Sequence, residues 1–478
     1  MSEFRVKPAF EKSVKSNLAR ANKSDKSILE ELGGLEHFLN LESHSLLIKG
    51  LPGTGKTTLA LQLLDYFGSE KGLYFSTRVG QSKLSKQFPW IHDVLSRQNQ
   101  FSDVRMSDSD SFVQDVIAAL TKKSNRVPVI VLDTWDSFAK ELEEKDRIKT
   151  EKTLVAIADN SHTRVVFVSE EPTRTTIDYL VDGVIELSRR EESERIFREV
   201  EVLKLRGTPI FQHKYLYTLL DGKFTLLGPY VIPDYSVVKP LKPIPDIDER
   251  YSFGSSSVDE VFGGLLKGGT FTIEYGERVP YSAVRMFELP LIVNFLIMGR
   301  SVFMAPLPGA GSEDLFSLIS RAIPKSKSEG VKERFKIVTS DQSLLNSGKV
   351  ETFSTTKAQK DEGSKAIDEL RSKSIDGKVL LIESISLFEN KYASVLNSVV
   401  EGLSDRASIT QENGDASIFL LQTDSPIRTR VLAMSYNFAS LRVTDRSVIF
   451  MGEKQNTGAY VVQNSKDNQL LPELYQIV

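Results

Sequence analysis

The run Gly50-Leu51-Pro52-Gly53-Thr54-Gly55-Lys56-Thr57 sets glycines, a lysine and a threonine at the spacing G-x-x-x-x-G-K-[ST]. Glycines let a loop backbone wrap closely around phosphate oxygens with its N–H groups turned inward, and a following helix N-terminus adds its own donors and dipole. In that chemistry Lys56 pairs with the β- and γ-phosphates, and the Thr57 hydroxyl sits on Mg²⁺, which offsets the rest of the triphosphate charge. The candidate nucleotide set is therefore Gly50, Pro52, Gly53, Thr54, Gly55, Lys56, Thr57 and Thr58, with ATP and Mg²⁺ as the expected cofactors. A second carboxylate-bearing strand, Val127 to Leu132, ends on Asp133. Asp133 reads as a metal-side carboxylate at the sheet edge and, without excluding that, as the N-cap of a helix over Thr134 to Phe138.

Such a loop works only between a strand and a helix, and the apolar run SLLIKG before it and TTLALQLLDYF after it supply both. Short apolar runs at Ser45 to Gly50, Gly72 to Ser76, Val127 to Asp133 and Arg164 to Ser169 alternate with longer amphipathic stretches. That alternation predicts an α/β domain with a parallel sheet.

A chain of 478 residues exceeds what one core organises, so two domains are expected. Hydrophobic residues at 40% and charged residues at 26% are the balance of a globular protein. A net charge of -3 argues against a dedicated nucleic-acid binder. The absence of cysteine excludes disulfides and thiol chemistry, and the five histidines stand at no metal-ligand spacing. The N-terminus has no apolar signal core, and the longest apolar run, Leu289 to Met298, is too short to span a bilayer, so a cytoplasmic location is expected.

Basic side chains dominate between Arg5 and Lys26, which marks residues 1–30 as an N-terminal arm, either solvated or docking on an acidic partner. Residues 31–228 form the candidate ATP-binding domain. Prolines 229, 233, 240, 243 and 245 disfavour regular structure and mark residues 229–250 as a linker. Residues 251–478 then repeat the order of elements: Thr270 to Tyr275, a helix-like Met286 to Met298, a strand Ser301 to Ala305 and a strand Lys378 to Glu383.

On these motifs the chain resembles the KaiC-like branch of the RecA superfamily of P-loop ATPases. The segment Leu203-Lys204-Leu205-Arg206-Gly207-Thr208 is similar to that family's KLRGT stretch, which reaches ATP on a neighbouring subunit. The resemblance implies a homo-oligomer in which Lys204 and Arg206 contact the neighbour's nucleotide; a hairpin strand with solvated basic residues is the other reading. The segment SVDEVFGGLLKGG resembles the same family's domain entry, so the expected fold is two RecA/KaiC-like domains in tandem with mainly parallel sheets. The second is degenerate, because Gly276 to Arg285 carries no glycine-lysine-threonine and Ile382-Glu383 replaces the strand-end aspartate. Where the family has paired glutamates that activate water, this chain has Ser76-Thr77-Arg78, and an arginine stays protonated and cannot be a base. Glu170, in Ser169-Glu170-Glu171, or Asp136 then becomes the candidate to position water, unless both are solvated loop carboxylates. The phrase YFSTRV and the opening ESHSLLIKGLPGTGKTTLALQLL are similar to the P-loop domain of GvpD, a gas-vesicle regulator.

These readings imply an ATP-binding regulatory protein with slow hydrolysis catalysed through Lys56, Asp133 and Glu170, its nucleotide state controlling oligomerisation or the binding of a protein partner. Two alternatives share the motif. One is a RecA/RadA-type DNA-dependent ATPase, which lacks a basic stripe interleaved with aromatics here. The other is a nucleotide-gated scaffold without hydrolysis.

Overall fold

The computed structural model describes residues 44–68, 71–92, 101–105, 109–121, 127–236, 238–305, 312–337, 357–386 and 396–478, with His37, Phe38, Asn40, Leu95 and Glu389. The basic arm expected at residues 1–30 lies outside the described residues. Chain contacts divide the protein into two units, Met1–Gly228 with Gln476–Val478, and Pro229–Tyr475.

The first unit is built on a nine-stranded sheet in the order β3-β2-β4-β5-β1-β6-β7-β8-β9. Its strands are β1 (Ser45–Gly50), β2 (Leu73–Ser76), β3 (Phe101–Asp103), β4 (Val129–Asp133), β5 (Arg164–Ser169), β6 (Gly183–Glu192), β7 (Arg195–Leu205), β8 (Lys214–Thr218) and β9 (Thr225–Leu227). Pairing is parallel from β3 to β6 and antiparallel from β6 to β9. All six residues of β1 are buried, as a strand covered on both faces requires. Side-chain alternation divides the core: Leu46 and Ile48 join Leu59 and Leu63 of the helix Lys56–Gly68 on one face, while Leu47 joins Phe167 and Trp135 on the other.

The second unit repeats the plan strand for strand. After a short pair, β10 (Arg250–Tyr251) and β11 (Leu265–Leu266), come β12 (Thr270–Tyr275), β13 (Ser301–Ala305), β14 (Phe335–Ile337), β15 (Val379–Ser384), β16 (Ala416–Gln422), β17 (Asn437–Thr444), β18 (Ser447–Gly452), β19 (Ala459–Asn464) and β20 (Pro472–Gln476). Their order is β14-β13-β15-β16-β12-β17-β18-β19-β20, the first sheet's order with each strand replaced by its counterpart. Even a buried charge recurs with its sign reversed. The fifth residue of β1, Lys49, pairs with Asp178 at 2.9 Å, and the fifth residue of β12, Glu274, pairs with Arg428. A buried charge needs a partner, and either polarity supplies one. The chain is thus a tandem of two α/β units built on mostly parallel sheets of one strand order.

The helix Tyr281–Ile297, which occupies the place of Lys56–Gly68, is apolar on nearly all sides and buried over most of its length, as a helix enclosed by protein must be. Residues 229–250, expected as a linker, group with this second unit. Leu241 is buried there and donates its N–H to Ala322, while Asn294 both donates to and accepts from the Ile244 backbone at 2.9 Å. Asn464 and Asn468 donate to the carbonyls of Val231 and Lys239, each at 2.8 Å. A proline-rich stretch cannot join a strand ladder, so side-chain amides satisfy its backbone instead.

Candidate nucleotide site

The loop from Gly50 to Gly55 joins the buried end of β1 to the helix that starts at Lys56. Gly53 and Gly55 have φ of 79° and 91°, in the region that favours glycine. At Gly50 a Cβ would stand 2.3 Å from the Leu187 carbonyl oxygen on β6, so a side chain there would displace the neighbouring strand. The cradle is therefore shaped by close backbone approach, which is what a polyphosphate-binding loop needs.

Lys56 is buried, and its Nζ donates to the Leu51 carbonyl at 2.9 Å across the loop. Burial lowers its pKa, while Glu170 and Asp133 pull it back up. Thr57 Oγ1 donates to Asp133 Oδ2 at 2.8 Å. Asp133 stands at the C-terminal end of β4, level with Ser76 of β2 and Val168 of β5. Its carboxylate also accepts from the hydroxyl of Tyr74, a buried residue of β2. Burial pushes Asp133 above its ordinary range against the pull of these two hydrogen bonds and of Lys56. The same environment raises Tyr74 well above 10, burial first and the Asp133 charge second, so the phenol stays a donor. A lysine, a threonine hydroxyl and a desolvated carboxylate at the mouth of a glycine loop fit a magnesium–triphosphate group: the carboxylate gains a countercharge and the lysine an anion.

Glu170 follows the last residue of β5 and lies on the same rim. Its Oε1 is 4.0 Å from Lys56 Nζ and its Oε2 is 2.6 Å from Arg78 Nη1. The arginine that stands where a glutamate was expected therefore pairs with Glu170. Asp136 supports the backbone instead. It accepts from the Ser169 hydroxyl at 2.9 Å and from the Glu170 backbone N–H, and so fixes the turn that presents Glu170. Thr77 closes the rim, its N–H donating to the Asp133 carbonyl at 2.8 Å and its hydroxyl accepting from Thr134 N at 2.9 Å. Thr58 is buried within the first turn of the helix, and Pro52 is exposed at the loop tip.

The fold brings Lys56, Thr57, Asp133 and Glu170 together, and it sets Lys204 and Arg206 apart from them. Gly50 lies level with Leu187, whereas Lys204 pairs with Val184 and Leu205 with Gly183, at the start of the same strand. Three residues of strand amount to roughly 10 Å. Lys204 Nζ donates to the carbonyls of Asp178 and Tyr179 at 3.2 and 3.0 Å and to that of Val181, capping the C-terminus of the helix Thr176–Leu180. Arg206 is exposed and pairs with Asp182 at 2.8 Å. Sequence reasoning missed Tyr74, because a tyrosine inside an apolar strand reads as core.

The second unit's equivalent position has other chemistry. Tyr275 occupies the place of Gly50, and the turn that follows closes on itself, with Val279 N donating to the Gly276 carbonyl at 2.9 Å. Glu383, at the place of Asp133, is fully buried against Arg406 of the helix Leu396–Asn413. No lysine faces it from the turn, and its charge is already neutralised.

A family model described as "GvpD gas vesicle protein, P-loop domain" matches residues 35–203. Protein GvpD2 of Halobacterium salinarum is 29% identical over 321 residues, covering 60% of this chain and 64% of that protein. Protein GvpD1 of the same organism is 28% identical over 320 residues, covering 60% of this chain and 59% of the relative, so the chain spans about three fifths of the length of these relatives. Among solved structures, a KaiC-like protein from Pyrococcus horikoshii matches at 22% identity and a TM-score of 0.34, over 39% of this chain and 90% of its own.

Proposed function

We propose that the first unit is a KaiC/GvpD-like P-loop domain of the RecA superfamily, and that the protein is an ATP-binding regulator that hydrolyses its nucleotide slowly and couples nucleotide state to self-association or to a protein partner. The observation that carries this reading is the single constellation of Lys56, Thr57 and Asp133 at a glycine loop, set against a second unit whose counterpart residues are Tyr275 and an ion-paired Glu383. One unit is built to respond to nucleotide, and the other keeps the same layers for packing and partner contacts.

Within this reading Gly50, Pro52, Gly53, Thr54, Gly55, Lys56 and Thr58 receive the polyphosphate, and Thr57 and Asp133 hold Mg²⁺. When bound, the metal supplies charge compensation for the triphosphate. Glu170 orients the attacking water. Its ion pair with Arg78 draws on the same lone pairs that would take the proton, which makes the step slow. Lys204 and Arg206 lie on the opposite edge of the sheet from their own P-loop, a placement that suits a contact made to a neighbouring copy.

ATP hydrolysis by wild type and Lys56→Ala, measured with light-scattering mass with and without Mg-ATP, tests the proposal. Slow turnover abolished in the variant, together with a nucleotide-dependent mass, is expected. Fast turnover without any partner would refute it. A change of mass with ATP left intact selects the nucleotide-gated scaffold, a reading favoured by the Arg78–Glu170 pair. Turnover stimulated by single-stranded DNA selects the DNA-dependent ATPase.

A further inference from the structure

A loop that binds phosphate through its N–H groups must turn its carbonyls the other way, and those carbonyls need donors. In this P-loop four of those carbonyls have donors that can be named. The Leu51 carbonyl accepts from the Thr54 hydroxyl at 2.8 Å and from Lys56 Nζ at 2.9 Å, and the Gly55 carbonyl accepts from Leu59 N at 3.0 Å within the helix. The two at the loop tip are met from outside the motif. The Gly53 carbonyl accepts from Arg198 Nη1 at 3.0 Å, and the Thr54 carbonyl accepts from the Tyr217 hydroxyl at 2.5 Å. Arg198 lies on β7 and Tyr217 on β8, in the antiparallel part of the sheet.

The two donors form one device. Tyr217 is buried and stacks on Phe224 with ring centroids 4.4 Å apart, and the charge of Arg198 partly opposes the rise that burial imposes on its phenol. Leu219, just beyond β8, stands so close to Gly55 that a Cβ there would meet its Cδ2 at 2.8 Å. Burial pushes the Tyr217 phenol up to about 12, so it remains a donor at any ordinary pH.

We propose that Arg198 and Tyr217 are positioning residues for the nucleotide, clamping the carbonyls of Gly53 and Thr54 so that the tip of the glycine loop is held in shape for the phosphates before they bind. The inference rests on the nucleotide reading of the first unit and extends it to two residues outside every motif. Neither residue need touch ATP. Both act by fixing peptide planes in advance, so that binding does not have to order them.

The test is titration of the full-length protein with a fluorescent ATP analogue in Mg²⁺, for wild type, Arg198→Met, Arg198→Lys, Tyr217→Phe and the Arg198→Met/Tyr217→Phe double variant, each also melted without nucleotide. Loss of one charge-assisted hydrogen bond predicts a Kd weakened roughly tenfold by Arg198→Met and a few-fold by Tyr217→Phe. Arg198→Lys, which keeps a donor, recovers most of the loss, the double variant loses less than the product of the singles, and the nucleotide-free melting points stay near wild type. Single variants that bind within twofold of wild type would overturn the clamp, as would losses that follow a fall in nucleotide-free stability and are not recovered by lysine. A wild-type protein that binds no analogue overturns the nucleotide reading itself, and the clamp with it.

Discussion

Glu288 lies on the helix Tyr281–Ile297 with only 1% of its surface exposed. Burial pushes its carboxyl up to about 7, against the opposing pull of Arg285 and Tyr281. In the unfolded chain the same group titrates near its ordinary 4.5. Between those values the folded protein holds a proton that the unfolded chain releases. The stabilisation is therefore complete below about pH 4.5 and is lost as pH rises through about 7. At about 1.4 kcal/mol for each tenfold in proton affinity, the difference is worth about 3 kcal/mol between acidic and mildly alkaline pH. Glu288→Gln keeps the shape and removes the titration, so its second unit should lose about 2.5 kcal/mol less stability between pH 5 and pH 8, the part of that difference that falls inside this window. The assay separates the units by probe: Trp90 and Trp135, the only tryptophans of the chain, both lie in the first unit, whereas far-ultraviolet circular dichroism follows both. The wild-type-minus-variant difference is expected in the circular dichroism transition and not in tryptophan fluorescence. A variant with the wild-type pH slope in circular dichroism would refute the argument.

Three further outcomes follow from the first unit. Asp133→Asn removes a carboxylate that burial already disfavours, so the nucleotide-free melting point should hold or rise while the Mg²⁺ dependence of ATP binding disappears, as read by calorimetry with and without the metal. Arg78→Ala frees Glu170 from its 2.6 Å ion pair and should raise single-turnover ATP hydrolysis by about two- to tenfold; a fall would show that the arginine, not the glutamate, is the helpful group. Gly50→Ala sets a Cβ 2.3 Å from the Leu187 carbonyl and should cost about 3 kcal/mol or more in urea unfolding, along with nucleotide affinity.

Much of the site was legible because its chemistry is local. The glycine pattern, Lys56 and Thr57 are consecutive residues, and β1 announces itself as an unbroken apolar run. Asp133 was readable as the end of another such run, but its partners were not: Tyr74 comes from β2, and only the register of β2 against β4 brings its hydroxyl to that carboxylate. The expected water-positioning set also needed the fold to divide it. Glu170 faces the rim beside Lys56, while Asp136, equally acidic in sequence, is spent on the turn beneath it. The proline-rich stretch shows the same limit from the other side, since prolines forbid regular structure but do not say what the segment packs against; Asn294, Asn464 and Asn468 decide that.

By itself the sequence determined the main elements and the place of the glycine loop, because hydrophobic period and a G-x-x-x-x-G-K-[ST] run are encoded by neighbours along the chain. It also determined that the second half lacks the glycines and the lysine such a loop requires. Only the tertiary structure decided that the two sheets share one strand order, that Arg406 neutralises Glu383, that Lys204 and Arg206 sit on the edge away from their own P-loop, and that Arg198 and Tyr217 take the loop's carbonyls. Those contacts join residues far apart in the chain. They depend on strand order and register, which follow from how the whole apolar surface is buried rather than from any local pattern.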